Sequence, residues 1–162
     1  MKVITFLRHS KSSWDYDILD IHRPLSPVGI EKIKKTAISS KDHFISCEII
    51  FTSPANRALY TSILISKNLS INYNKIKICD ELYTFSFTEV MKFIKTIDNK
   101  YSNVVLVGHN PAYTEISNYF SKNKILNLPT ARWFSLKFKS ENWSDIIDLK
   151  PISYLNNLKS GV

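Results

Sequence analysis

The sequence predicts an α/β three-layer sandwich, with a mainly parallel central sheet, helices on both faces and an antiparallel pair of strands at its C-terminal edge. Three observations carry this. Short apolar runs alternate with helix-spaced segments, the pattern of strands buried on both faces and joined by crossover helices. The 162 residues are 44% hydrophobic and 12% aromatic, enough to fill one core and too much for a disordered chain. Only three glycines occur, and no stretch reads as a linker, repeat or low-complexity segment, so residues 1–162 are expected to form a single domain.

The elements follow in order. Residues 3–7 are apolar apart from Thr5, as in a central strand. Ser26 and Pro27 read as N-cap and first residue of a helix over 27–40, with Ile30, Ile33 and Ala37 on one side and Lys32, Lys34 and Lys35 elsewhere. Residues 48–52 form a second strand. The helix at 54–68 turns Leu59, Ile63 and Leu64 inward, and 75–79 is a third strand. A helix at 88–97 carries Val90, Phe93, Ile94 and Ile97; a wholly apolar strand at 104–107 and a helix at 111–120 follow. Residues 132–138 and 144–149 read as two late strands, paired antiparallel through a turn at 140–142.

Charge narrows the partners. Twenty-two Lys and Arg against 14 Asp and Glu leave a net charge of +8. Such a surface draws phosphorylated ligands, acidic proteins or nucleic acid. The sequence has no RNP, KH or helix-turn-helix signature and no interleaved basic–aromatic stripe, which counts against nucleic acid. Cys47 and Cys79 lie at or beside apolar runs, with no CxxC and no Cys/His metal spacing, so they read as buried thiols of a reducing compartment. The stretch before Arg8 is too short for a signal peptide and no run approaches transmembrane length, so a cytoplasmic location without a membrane partner is expected.

In open α/β sheets ligands bind beyond the carboxyl ends of the strands, and three of those ends carry polar residues. The first strand stops on Arg8 and His9 before the loop Ser10-Lys11-Ser12-Ser13. The second runs into SPANRA, where Ser53 reads as a cap, Pro54 as the first helical residue and Arg57 as a first-turn guanidinium. The strand at 104–107 runs into GHNP, with Asn110 as N-cap beside His109. Alone, each is ordinary: most arginines are solvated, and a lone histidine is more often structural than catalytic. Together they gather Arg8, His9, Arg57 and His109 on one sheet edge. Guanidiniums grip a tetrahedral dianion bidentately. A histidine there either donates to a phosphoryl oxygen or attacks phosphorus, and the residue pattern leaves open which one attacks.

LRHS at 7–10, SPANRA at 53–58 and GHNP at 108–111 resemble the histidine phosphatase (phosphoglycerate mutase-like) superfamily. HSKSSW at 9–14, RPLSPVG at 23–29, ELY at 81–83 and LPT at 128–130 resemble its SixA-like branch of small phosphohistidine phosphatases. The likeness spans about residues 1 to 150, and its specificity lies in the order and spacing of the motifs. Ser10 stands where the superfamily signature has glycine. The resemblance implies a metal-independent, cofactor-free phosphatase in which His9 becomes a transient phosphohistidine and Arg8, Arg57 and His109 bind the phosphoryl group. It implies a leaving-group acid after the third strand, where Asp80 and Glu81 are the candidates and Glu81 is preferred. Ser10, Lys11 and Asn110 are assigned to the substrate. The implied substrate is a phosphohistidine protein. The alternatives are a small phosphorylated metabolite hydrolysed on the same fold, or a non-catalytic phosphate- or nucleic-acid-binding module. The short chain leaves little room for the lids of a mutase.

The remaining features read more plainly. Asp15, Asp17, Asp20 and His22 lie close in sequence but lack the Gly and terminal Glu of a calcium loop, so they are expected to form a polar rim. Arg23 reads as a structural ion-pair residue and His43 as surface. Lys11 and Ser12 suit a substrate mouth. Trp14, Trp133, Phe134 and Trp143 are assigned to packing.

Overall fold

The structure, a computed structural model, describes residues 1–158; the last residues of the expected 1–162 unit lie outside the described ones. Six strands form one sheet: β1 (Lys2–Arg8), β2 (Ile49–Thr52), β3 (Ile76–Ile78), β4 (Asn103–Gly108), β5 (Trp133–Phe138) and β6 (Ser153–Asn156), in the order β3-β2-β4-β1-β5-β6. The pairs β3–β2, β2–β4 and β4–β1 are parallel, while β5 runs antiparallel to both β1 and β6. The expected mainly parallel α/β sheet with an antiparallel C-terminal edge is what the chain forms.

The central strands are apolar on both faces because each face has its own core. Ile4, Phe6, Val104 and Leu106 pack with α4 (Phe87–Lys95) and α5 (Ala112–Phe120). Their neighbours Leu7, Val105 and Val107 pack with α1 (Pro27–Ser39), α2 (Lys41–Ile45) and α3 (Asn56–Leu69). Alternation along a strand sends successive side chains into opposite layers. Ser26 caps α1 as its sequence suggests, accepting from the Gly29 N–H at 3.0 Å, with Pro27 at the first helical position.

Several expectations are corrected. Residues 144–149 are not a strand: Trp143–Asp148 is a 3₁₀ stretch, and the antiparallel partner of β5 is Ser153–Asn156. Trp143 and Ile146, three residues apart, both bury into the core, and the Trp143 Nε1–H donates to the Tyr101 carbonyl at 3.0 Å. That spacing serves a three-residue turn and leaves no extended edge to pair. Helix α3 begins two residues later than Pro54, because the Ser53 hydroxyl turns back to accept from the Ala55 N–H. Leu64 of α3 is buried as expected, but Leu59 and Ile63 are only half-buried; Ala58, Thr61 and Ile65 face the sheet instead. His43 is not a surface residue. Its ring stacks on Trp133 at 4.0 Å and its Nε2 shares a hydrogen bond of 2.7 Å with Thr5 of β1, and burial lowers its pKa. Cys47 and Cys79 are free and buried, and burial pushes the Cys47 thiol up to about 11.

The loop after β1 is fastened to the start of α1. The Lys11 carbonyl accepts from the Ser26 N–H at 2.9 Å, and the Ser10 hydroxyl donates to the Gly29 carbonyl at 2.6 Å. A Cβ at Gly29 would overlap the Lys11 carbonyl oxygen, a rigid backbone atom. Gly→Ala inside a helix ordinarily stabilises; here the overlap wins. Gly29→Ala is expected to lower unfolding stability by about 1–3 kcal/mol, read from urea titration.

Candidate active site

The site is built where β1 and β4 end together. Arg8 pairs with Gly108 in the parallel ladder, and the His9 N–H donates to the Gly108 carbonyl at 3.1 Å. Beyond that rung the chain leaves the sheet, as the Ser10 N–H donates to Thr61 Oγ1 at 3.0 Å. The turn lets neighbours Arg8 and His9 face one space, which continued strand alternation would forbid. Arg8, His9, Arg57 and His109 line one cavity of about 300 Å³. The His9 and His109 ring centroids stand 5.2 Å apart.

Hydrogen bonding assigns the imidazole protons. His9 Nδ1 lies 2.6 Å from the Ser10 carbonyl, which can only accept, so Nδ1 carries the hydrogen and Nε2 the lone pair. His109 Nε2 lies 2.7 Å from the Ser53 hydroxyl. That hydroxyl accepts from the Ala55 N–H, and among the described residues Nε2 is the one acceptor for its own hydrogen, so it donates to Nε2 and leaves the ring hydrogen on His109 Nδ1. Among the described residues, His109 Nδ1, Arg8 Nε, Arg57 Nε and Arg23 Nε are buried and have no hydrogen-bond partner. Buried polar atoms in native proteins are normally satisfied, so unpaired donors in the residues of one cavity fit an anion. Burial is the main cause that lowers both histidines to about 3. The charges of Arg57 and Arg8 add to it at both sites, against the hydrogen bond to Ser10 at His9. Both rings are therefore neutral near pH 7.

Both guanidiniums are already engaged by the protein. Arg8 Nη1 donates to the Leu128 carbonyl at 2.7 Å, a loop brought to this edge because β5 starts beside Leu7. Arg57 Nη1 donates to the Asp20 carbonyl at 2.7 Å and Nη2 to Asp20 Oδ2 at 2.9 Å. Tyr83 Oη donates to the same Asp20 oxygen at 2.6 Å, and Arg23 Nη1 lies 3.6 Å from the other. Burial pushes the Asp20 carboxyl up, but these hydrogen bonds and the charges of Arg57 and Arg23 outweigh it and hold it below its ordinary value.

The structure brings Lys11 and Asn110 to the cavity but not Ser10 or Glu81. Ser10 is fully buried with its hydroxyl spent on the Gly29 carbonyl, so it shapes the loop rather than touching a ligand. Glu81 and Asp80 line a separate depression with Lys77 and Phe93. Leu82 drops into the core and turns the two carboxylates before it to solvent. The same loop instead sends Tyr83 and Phe85 against His109, with ring centroids 5.6 and 5.4 Å away. Trp14 is not core: it is 78% exposed, and the Arg23 guanidinium carbon lies over its ring, 3.3 Å from the centroid. Asp20 and Arg23 also line the cavity, although the sequence placed them only on a rim and in a structural pair; the i, i+3 spacing of Asp20 to the arginine that opens RPL was the available signal. Among the described residues no group of three or more His, Cys, Asp or Glu side chains is arranged to hold a metal ion.

The neutral histidines set a pH dependence. Their unfolded value is 6.5 and their folded value about 3, so the unfolded chain binds more protons in between. Stability is fully present above pH 6.5 and is lost as pH falls toward 3. The His9→Asn variant is expected to show a shallower loss than wild type between pH 6 and 4, by about 1.4 kcal/mol per pH unit in urea unfolding.

No family model matches the chain, and no curated protein is similar to it. Solved structures are. A candidate phosphohistidine phosphatase SixA from Agrobacterium tumefaciens is 20% identical, with TM-score 0.76 over 95% of this chain and 97% of that one. The protein histidine phosphatase SixA complexed with tungstate is 19% identical, with TM-score 0.72 over 86% and 91%. A mycobacterial glucosyl-3-phosphoglycerate phosphatase complexed with VO3 is 11% identical, with TM-score 0.69 over the whole of both chains. The sheet order, the antiparallel edge and the helices on both faces thus form the same α/β fold as these solved structures.

Proposed function

We propose that this protein is a phosphatase that works through a phosphohistidine intermediate on His9, without a metal, and that its substrate is phosphohistidine on a protein. One observation carries the reading: a neutral His9 whose Nε2 lone pair is free, in a cavity lined by residues with unpartnered guanidinium and imidazole donors. Phosphoryl transfer depends on positioning and charge stabilisation. Arg8 and Arg57 supply the charge, and His109 Nδ1–H donates to a phosphoryl oxygen.

The steps balance without a protein acid. His9 Nε2 attacks phosphorus and the P–N bond of the substrate breaks. A phosphoimidazole protonated on its distal nitrogen leaves as neutral imidazole, while His9 becomes the equivalent phosphoimidazole with Nδ1–H still on the Ser10 carbonyl. Water then forms the new P–O bond, the P–Nε2 bond breaks, and dihydrogen phosphate leaves neutral His9. An alkyl phosphoester would instead expel an alkoxide that needs a proton. The carboxylate in the cavity, Asp20, is held ionised by its donors, which favours the nitrogen leaving group. Exposed Trp14 and Phe85 at the mouth and the net charge of +8 suit an acidic protein surface. The free buried thiols suit a cytoplasmic setting, and among the described residues no helix is long and apolar enough to cross a membrane.

A protein phosphorylated on histidine with phosphoramidate is the test substrate. His9→Ala is expected to abolish turnover yet keep inorganic phosphate binding, and Arg57→Ala to lower kcat/KM by about 10²–10³-fold. Glu81→Gln is expected to turn over as wild type does. Rapid quenching should trap an acid-labile, alkali-stable label on the peptide containing His9. A label on another residue, or an alkyl phosphoester hydrolysed faster than phosphohistidine, would overturn the reading.

A further inference from the structure

We propose that Asp20 is a built-in competitor for the phosphate cradle: its carbonyl and carboxylate hold the two terminal nitrogens of Arg57, and a dianion that takes that terminal pair must displace it. The inference rests on reading the cavity as a phosphoryl site. Arg57 is 3% exposed; one N–H of each terminal nitrogen goes to Asp20, one to its carbonyl and one to its carboxylate, while Nε is unpartnered among the described residues. End-on bidentate capture of a tetrahedral anion uses that terminal pair. Asp20 and an anion bound end-on therefore claim the same donors, and two anions on one guanidinium repel.

Asp20 is built to leave. Its side chain is 45% exposed, and it opens a three-residue turn, Asp20–His22, whose N-cap makes no side-chain hydrogen bond. The turn follows a loop at 13–19 without helix or strand. Tyr83 Oη clamps the same Oδ2 that Arg57 Nη2 holds, whereas Arg23 Nη1 lies 3.6 Å from the other oxygen, so an Asp20 that lets go of Arg57 and Tyr83 keeps Arg23 as a partner. The exchange favours a doubly charged ligand over a singly charged one, since the ligand must outcompete a full carboxylate. It also speeds product clearance, because Asp20 refills the fork as phosphate departs and the buried guanidinium is never left bare.

The test measures inorganic phosphate affinity by calorimetry in wild type, Asp20→Asn and Tyr83→Phe, with folding checked by circular dichroism. Asp20→Asn is expected to bind phosphate about tenfold more tightly. Tyr83→Phe, which loosens the competitor without removing its charge, should shift in the same direction by less, and it decides the matter if Asp20→Asn does not fold. Affinity that is unchanged, weaker or undetectable in the folded variants would overturn the inference and leave Asp20 as a support for Arg57. The measurement needs no turnover. Tighter phosphate binding without phosphohistidine hydrolysis would sink the proposed function and spare this inference, and the reverse pattern would do the opposite.

Discussion

The parallel pairing of β1 with β4, in the register that aligns Arg8 with Gly108, is the constraint on which the site depends. Its last rung, the His9 N–H on the Gly108 carbonyl, sets the two histidine-bearing turns at one height. A slip of one residue would exchange the faces of every side chain on a strand. The two cores forbid it: Ile4 and Phe6 belong to one and Leu7 to the other, and Val104 to Val107 alternate in the same way. Apolar packing on both faces thus holds the polar ends in place.

Electrostatics at this edge divides the labour. The guanidiniums carry the positive charge, while burial beside them keeps both imidazoles neutral. Neutrality leaves the rings with different free nitrogens. The Ser10 carbonyl holds the His9 proton on Nδ1 and leaves Nε2 as a lone pair; the Ser53 hydroxyl instead engages the His109 Nε2 lone pair and leaves Nδ1–H as the unpartnered atom among the described residues. One backbone carbonyl and one hydroxyl thus differentiate two equal residue types.

The first loop shows how a polar side chain is accommodated at a close approach. Ser10 has no exposed surface and its hydroxyl finds the Gly29 carbonyl. Gly29 in turn lies against the Lys11 carbonyl, where a side chain has no room. The loop therefore keeps a close approach to α1 while His9 keeps its carbonyl partner.

Much of this was legible in the chain itself. Alternation of apolar runs with helix-spaced segments determined the layered sheet, and polar residues stopping three such runs determined that Arg8, His9, Arg57 and His109 belong together. These are local signals, and the carboxyl-edge rule converts them into a site. Tertiary structure alone decided the rest. Whether 144–149 or 153–156 would pair with β5 depended on where Trp143 and Ile146 could bury. Which carboxylate would reach the cradle depended on Leu82 filling the core, which turned Glu81 outward, and on Tyr83 and Arg57 converging from distant elements on Asp20. A carboxylate's neighbours across the sheet edge are set by long-range packing, and no spacing within a single segment encodes them.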